Sequence, residues 1–408
     1  MLRALRPVLL LLLATVPAVV LRLTGTHPPA LAAMAIFGLA VVAASFVLAW
    51  AAEAAEMDIS GGLAIALLAV IAVLPEYAVD LYFAHTAGSN PDYVQFAAAN
   101  MTGSNRLLLG LGWSTVVLIS LYVASRRSGR PVKALVLESG YRRELGFLAV
   151  AGVVAFVIPV TGEIHLLLGI LLLAFFAFYL YRAATSEHDD EPDLIGPAAT
   201  IGALPKLQRR ITVTAMFLVS AGVILAAAEP FADSLVAGGR ALGIDQFLLV
   251  QWLAPLASEA PEFIVAILFA WRGKGAAALG LLISAKVNQW TLLIGSLPIA
   301  YGIGGGGAAL HLDGRQVEEF LLTATQTVLG IAILLNLRFP RWAALTLLGL
   351  FAVQFAVPGQ TGRYVISVIY LLLAIGAAIH NRKQLIPTIT APFRRTTAAD
   401  PDRELVKV

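Results

Sequence analysis

Twelve apolar runs, each close to the length of helix that crosses a bilayer, leave this chain few ways to fold. They fall near residues 7–24, 31–52, 62–84, 96–123, 145–161, 164–183, 211–232, 247–270, 276–300, 317–337, 341–357 and 363–380. About 20 residues of helix cross the hydrocarbon core. Inside it, backbone N–H and C=O groups must pair within the protein, so the expected form is an all-α polytopic bundle. The composition agrees: 59% of the residues are hydrophobic and 13% charged, against about 25% charged in a soluble domain. Cysteine is absent, which excludes disulfides, thiolate metal ligands and a cysteine nucleophile. The six histidines (His27, His85, His165, His188, His311 and His380) have no metal-ligand spacing.

The basic residues follow the same pattern of spans. If the N-terminus is cytoplasmic, twenty-two of the 28 lysines and arginines fall in cytoplasmic segments. Only Arg22, Arg240, Arg315 and Arg363 fall outside, and Arg106 and Lys286 lie within or at the mouth of spans. That asymmetry is the positive-inside rule. It predicts cytoplasmic termini in a plasma membrane of bacterial type, and it explains a pI near 9.2 without nucleic acid. The start, Met1-Leu2-Arg3-Ala4-Leu5-Arg6 before an apolar run, resembles a signal peptide. A second span follows almost at once, so a retained first helix is expected.

A proline–glutamate pair occurs twice inside apolar runs, as Leu74-Pro75-Glu76 and Ala260-Pro261-Glu262. A carboxylate inside lipid costs a few kcal/mol or more unless it faces a partner, a water-filled cavity or an ion. The proline removes a backbone donor and frees nearby carbonyl oxygens. Carbonyls and carboxylates together suit hard cations. A polar connection over 184–210, with the acidic run Glu187-His188-Asp189-Asp190-Glu191-Pro192-Asp193, reads as a solvated linker between halves that each carry one such pair. The pairs lie in the third and eighth runs, an odd step of five spans, so the halves run in opposite directions, a common plan of secondary transporters.

The surrounding residues resemble the α-repeats of the cation/Ca²⁺ exchanger superfamily. That family has a G-T-S-L-P-E segment, then G-N-x-x-G-S-N-x-x-(N/D) on the next helix. The first copy here reads Ile71-Ala72-Val73-Leu74-Pro75-Glu76, then Ala99-Asn100-Met101-Thr102-Gly103-Ser104-Asn105-Arg106-Leu107-Leu108. The second reads Ala257-Ser258-Glu259-Ala260-Pro261-Glu262, then Gly280-Leu281-Leu282-Ile283-Ser284-Ala285-Lys286-Val287-Asn288-Gln289. The resemblance covers residues 31–357. It implies an inverted five-plus-five arrangement of helices with one extra helix at each end. The expected divisions are 1–30 (extra helix), 31–183 (first repeat half), 184–210 (cytoplasmic linker), 211–357 (second half) and 358–408 (extra helix and tail). The departures fall on ligand positions. Ala72 and Val73 replace hydroxyl residues, Glu259 replaces a serine, Ala285 replaces the serine that Ser104 matches, and Leu108 and Gln289 stand where the family has Asn or Asp.

The resemblance implies a transporter, not an enzyme, needing no cofactor. It would carry Na⁺, Ca²⁺ or H⁺ as cargo, with the bilayer and small cations as partners and no implied oligomeric state. The expected cation-binding residues are Glu76, Glu262, Ser258, Glu259, Ser104, Gln289 and Asp80, with Glu76 and Glu262 carrying the metal ion. Two carboxylates that face each other need a divalent cation, two monovalent cations or protons, which is the chemistry of an antiporter. Glu259 precedes Glu262 by three residues and Asp80 follows Glu76 by four, so each pair shares a face if its helix continues. Lys286 either replaces one bound cation, through charge compensation or proton coupling, or snorkels to an interface. Glu229, beside Pro230, is expected to line an outer cation path. The leading expectation is exchange of Na⁺ and/or H⁺ for Ca²⁺ or another cation. A Na⁺/H⁺-type antiporter without Ca²⁺ transport and a transport-inactive scaffold are the alternatives. An intramembrane hydrolase lacks its acid pair, and primary transport lacks a P-loop.

Overall fold

The computed structural model describes residues 2–58, 73–185, 194, 196–357 and 359–394. Among these, nine helices are long and apolar enough to cross a membrane, or ten if one bent pair counts as a single span. The predicted run at 62–84 is described only from Val73 onward, and the acidic run at 187–193 lies outside the described residues. The run at 341–357 forms a shorter apolar helix, Arg341–Ala356.

The chain divides into two compact units, and each draws on both halves of the sequence. The first comprises Met1–Asn100, Leu180–Glu262 and Ala300–Gly307. In it α1 (Leu2–Thr24) and α2 (Ala30–Ala55) precede α3 (Leu74–Ser89), and α4 starts at Val94. The core of this unit is α2 against a 37-residue helix, Lys206–Leu242, that outruns its predicted 211–232 at both ends. At 1.5 Å per residue it is about 55 Å long, so its ends reach past the hydrocarbon. It starts after Pro205 and ends at Gly243, whose φ of 65° closes it in the left-handed region. Alanines of α2 (Ala40, Ala43, Ala44 and Ala51) are buried, and such small residues let two backbones approach closely where lipid supplies no hydrophobic drive. Val8, Val47, Ile201, Val213 and Met216 complete one end of this core.

The second unit comprises Met101–Tyr179, Phe263–Ile299 and Ala308–Val408. The first motif helix α4 (Val94–Leu107) runs through a π-helical turn, Leu108–Trp113, into α5 (Ser114–Ser128). Next come α6 (Tyr141–Val154), α7 (Val157–Thr161) and α8 (Leu166–Ala184). A short α9 (Gly196–Gly202) leads into the 37-residue helix, which is α10. Two ribbons absent from the helical pattern join remote ends of spans. Strand β1 (Ala134–Val136) pairs antiparallel with β4 (Arg338–Pro340), and β2 (Glu163–His165) with β3 (Ala309–His311). Their three-residue lengths carry no periodicity that a sequence pattern could register.

At the end of α2, both carboxylate oxygens of Asp58 are occupied. Arg209 Nε donates to Oδ2 at 2.6 Å and its Nη2 to Oδ1 at 3.0 Å, while Arg210 Nε donates to Oδ1 at 3.1 Å. The same Arg209 reaches the carbonyl of Gly202, so one guanidinium ties together α2, α9 and α10. The hydrogen bond from Arg209, more than any other factor, holds the Asp58 carboxyl down at about 2 against its usual 3.8. A depressed carboxyl stabilises the fold above its ordinary value and loses that contribution as pH falls through its folded one. Asp58→Asn should therefore lower the thermal midpoint by a few degrees at neutral pH. The gap to wild type should narrow below pH 3.8 and close near 2, as followed by scanning fluorimetry.

Candidate cation-binding site

Both proline–glutamate pairs sit at the start of a helix, for a shared reason. Pro75 occupies the first turn of α3, where a missing N–H costs nothing, and Glu76 follows in that turn. In the second copy α11 (Gln246–Ser258) stops, α12 (Ala260–Trp271) starts, and the two axes differ by 57°. Pro261 is the cause: in a continuous helix its ring would clash with the carbonyl of Ala257. Glu262 thus lies in the first turn of α12. In both copies the glutamate therefore lies in the first turn, at the positive end of a helix dipole.

This break corrects one expectation. Glu259 caps the end of α11 while Glu262 opens α12, so the two do not share a helix face. In the first copy α3 continues, and Asp80 does lie one turn beyond Glu76 on the same side.

Within the first unit, Glu76 and Glu262 lie within electrostatic range of each other, as do Glu76 and Asp80. Glu76 is 6% exposed and Asp80 is fully enclosed. Asp80 Oδ1 accepts a hydrogen bond from Asn100 Nδ2 at 2.8 Å, and its Oδ2 is buried without a hydrogen-bond partner. Ser258 is buried, its hydroxyl donating back to the Ala254 carbonyl at 3.1 Å, with Glu259 buried beside it. Glu229 makes an ion pair with Arg22 and is about half exposed.

The other predicted positions belong to the second unit, on α4 and on α13 (Gly275–Asn288). A π-helical turn, Gln289–Leu293, follows α13 as one follows α4, and α14 (Ile294–Ile303) continues from it. Such turns recur at functional sites. Ser104 Oγ accepts from Gln289 Nε2 at 2.7 Å. Lys286 does not snorkel: it is fully buried, and Nζ donates to the backbone oxygen of Asn105 at 2.7 Å and to its Oδ1 at 2.9 Å. Asn105 and Lys286 occupy equivalent places in the two motif copies, six residues after Ala99 and Gly280 respectively. Equivalent positions of the two motif helices therefore meet, and the ammonium sits against oxygens that a metal cation would also favour.

Arg106 has its own counter-charge. Its Nη2 lies 2.5 Å from Glu319 Oε2 on α15 (Gly314–Leu334), with both side chains buried. Nη1 donates to Gln354 Oε1 at 3.2 Å, on α16 (Arg341–Ala356). Arg363, in the first turn of α17 (Gln360–His380), lies 3.6 Å from the other Glu319 oxygen. Glu319 and Gln354 are thus polar residues of the interior that the motif comparison does not select, whereas Asn100 stands at the motif's first Asn, outside the expected cation-binding set. The available signal is their position inside apolar runs.

These geometries define an all-α membrane transporter with duplicated acidic helix starts, and the comparisons agree. The family model for sodium/calcium exchanger proteins matches residues 27–184 and 212–358, so this chain belongs to that family. The crystal structure of an H⁺/Ca²⁺ exchanger, CAX, is 42% identical over 96% of this chain and 98% of its own, with a TM-score of 0.89. Native YfkE is 18% identical over 90% of this chain and 99% of its own, with a TM-score of 0.60. The sodium–calcium exchanger NCX_Mj, in one of its soaked crystals, is 16% identical over 81% of this chain and 99% of its own, with a TM-score of 0.52. Those last two likenesses concern the fold. No curated protein sequence matches the chain.

Breaking a buried ion pair costs about 3–5 kcal/mol, whereas replacing both partners with apolar groups is often neutral. Glu319→Leu alone should therefore strongly lower the thermal midpoint. Adding Arg106→Met should restore part of the loss, since Arg363 still lacks its Glu319 partner, and a double-mutant cycle by thermal unfolding measures the coupling.

Proposed function

We propose that this chain is a secondary-active antiporter exchanging protons, with or without Na⁺, for Ca²⁺ or a related cation around Glu76 and Glu262. The observation that carries this reading is the pair of carboxylates at two proline-started helices, Glu76 lying within electrostatic range of both Glu262 and Asp80. A cation that binds there offsets the repulsion between the acids, and protons do the same when it leaves. Competition between cation and proton for one anionic site couples the two fluxes, provided the site opens to each side in turn. The 42% identity to a protein described as an H⁺/Ca²⁺ exchanger supports protons as the coupling ion. So does the loss at Ala72 and Val73 of the two hydroxyl residues that, in the family resembled, help bind Na⁺. Asp80, oriented by Asn100, is proposed as a third acid of the site, with Ser258 and Glu259 at the helix break as further oxygen ligands.

Ser104 and Gln289 are proposed as polar contacts of the cation path. Lys286 is proposed as a tethered positive charge in place of one transported cation, which lowers the number of ions moved per cycle. Neutralising it should then add a monovalent cation or a proton to the cycle.

Radiolabelled Ca²⁺ uptake into proteoliposomes, driven by imposed pH or Na⁺ gradients, tests the reading. Uptake should follow the pH gradient. Glu262→Gln should reduce it roughly 100-fold, corresponding to a loss of about 3 kcal/mol of charged-ligand interaction. Lys286→Gln should keep uptake but change its voltage and pH dependence. Flux of Na⁺ against H⁺ with no Ca²⁺ movement would replace the reading with a Na⁺/H⁺ antiporter. Absence of flux under every gradient would leave a transport-inactive scaffold.

A further inference from the structure

A cavity of about 420 Å³ opens in the second unit, apart from every residue assigned to the cation path. It is lined by Tyr122, Ser125, Arg126, Arg130 and Arg341, with Gly129 and Pro131 between them. Three of its lining residues are arginines and none is acidic. Among the described residues, none of the three makes a side-chain hydrogen bond or ion pair. Arg126 instead lies over the Tyr122 ring, 5.4 Å from its centre, a cation–π arrangement that orients the group without neutralising it.

The convergence is built by the fold. Arg126 and Arg130 flank the end of α5, where Gly129 (φ 65°) turns the chain back. Arg341 is more than two hundred residues away in sequence and is brought alongside by the β1–β4 ribbon, its backbone N–H donating to the Lys133 carbonyl at 2.8 Å. Arginines that serve only to orient spans in the membrane have no need to gather at one cavity from remote segments, since the positive-inside rule counts charge per loop.

We infer that this cavity binds the phosphate headgroup of an anionic phospholipid in the leaflet at that end of the spans. The arginine fork matches phosphate oxygens bidentately, which a lysine cluster would not do. Depth and surroundings select a lipid over a free anion. The span Pro91–Ser128 ends at the cavity and α16 begins there, which puts the guanidinium groups at headgroup level. Exposed aromatic side chains flank them: Tyr122 stacks edge-on with Trp271 at 6.0 Å, and Trp342 stands 65% exposed beside Arg341. Aromatic residues so placed are those of a membrane interface, where acyl chains pass. Basic pockets at span ends on the cytoplasmic side recognise anionic headgroups by this chemistry.

Native mass spectrometry of the full chain, released from nanodiscs of phosphatidylglycerol mixed with phosphatidylcholine, tests the site. Retained phosphatidylglycerol should exceed its share of the bilayer. Arg126→Gln, Arg130→Gln and Arg341→Gln should each weaken that retention about fivefold, the ratio equivalent to about 1 kcal/mol per basic residue. Lys383→Gln, a matched loss of exposed charge away from the cavity, should leave it unchanged. Thermal midpoints in detergent verify that each variant is folded. Equal retention in wild type and the arginine variants would overturn the inference, as would equal losses in Lys383→Gln and the cavity variants. Displacement of the lipid by inorganic phosphate at matched concentration would assign the cavity to a free anion and overturn it too. The outcome does not depend on transport, so it stands apart from the antiporter reading.

Discussion

The energetic cost of a carboxylate inside a membrane is the constraint on which the rest of this protein depends. Water solvates an acid cheaply, whereas the bilayer interior does not, so each buried carboxylate needs a donor, a counter-charge, a proton or a cargo ion. In the second unit Glu319 finds its counter-charge internally: it lies between Arg106 and Arg363, with Gln354 taking a further arginine N–H. In the first unit the buried carboxylate oxygens Asp80 Oδ2 and Glu262 Oε2 lack a hydrogen-bond partner among the described residues, while Asp80 Oδ1 accepts from Asn100. Glu76 lies within electrostatic range of both acids. Under the proposed function, the remaining demand is met by the transported ions.

Proline is the covalent device behind this arrangement. In each copy it stands in the first helical turn one residue before the glutamate, so the acid lies at the positive end of the dipole. The same ring ends α11 at Ser258 and bends the span by 57°. A regular helix through the bilayer pairs all of its interior backbone groups and offers none to an ion. Breaking one in mid-membrane is a way to expose backbone to cargo without opening it to lipid.

Much of the fold was legible in the sequence because spans are long and chemically uniform. The runs at 7–24, 31–52 and 363–380 reappear as helices close to their predicted bounds. The 211–232 run became Lys206–Leu242, since hydropathy marks the lipid-facing stretch and not the turns that continue into the headgroups. The ribbons were invisible, because three-residue strands leave no period to detect. Of the site, the proline–glutamate pairs and Asp80 stood out as charges in apolar surroundings. What could not be read was pairing. Arg106 and Glu319 lie in different runs, and nothing local marks them as partners. Nor did sequence say whether α11 and α12 were continuous, which decides that Glu259 and Glu262 point apart along the chain. Lys286 was recognised as anomalous, but its contact with Asn105 depends on the crossing of two motif helices.

Proton release on Ca²⁺ binding is the most direct probe of a shared acidic site. Purified protein in weakly buffered detergent solution would be titrated with Ca²⁺ while a pH-indicator dye follows released protons. Competition at Glu76 and Glu262 predicts protons released in proportion to the Ca²⁺ bound, with both signals lost when Glu76→Gln and Glu262→Gln are combined. Ca²⁺ binding without proton release, or binding that survives the double substitution, would contradict it.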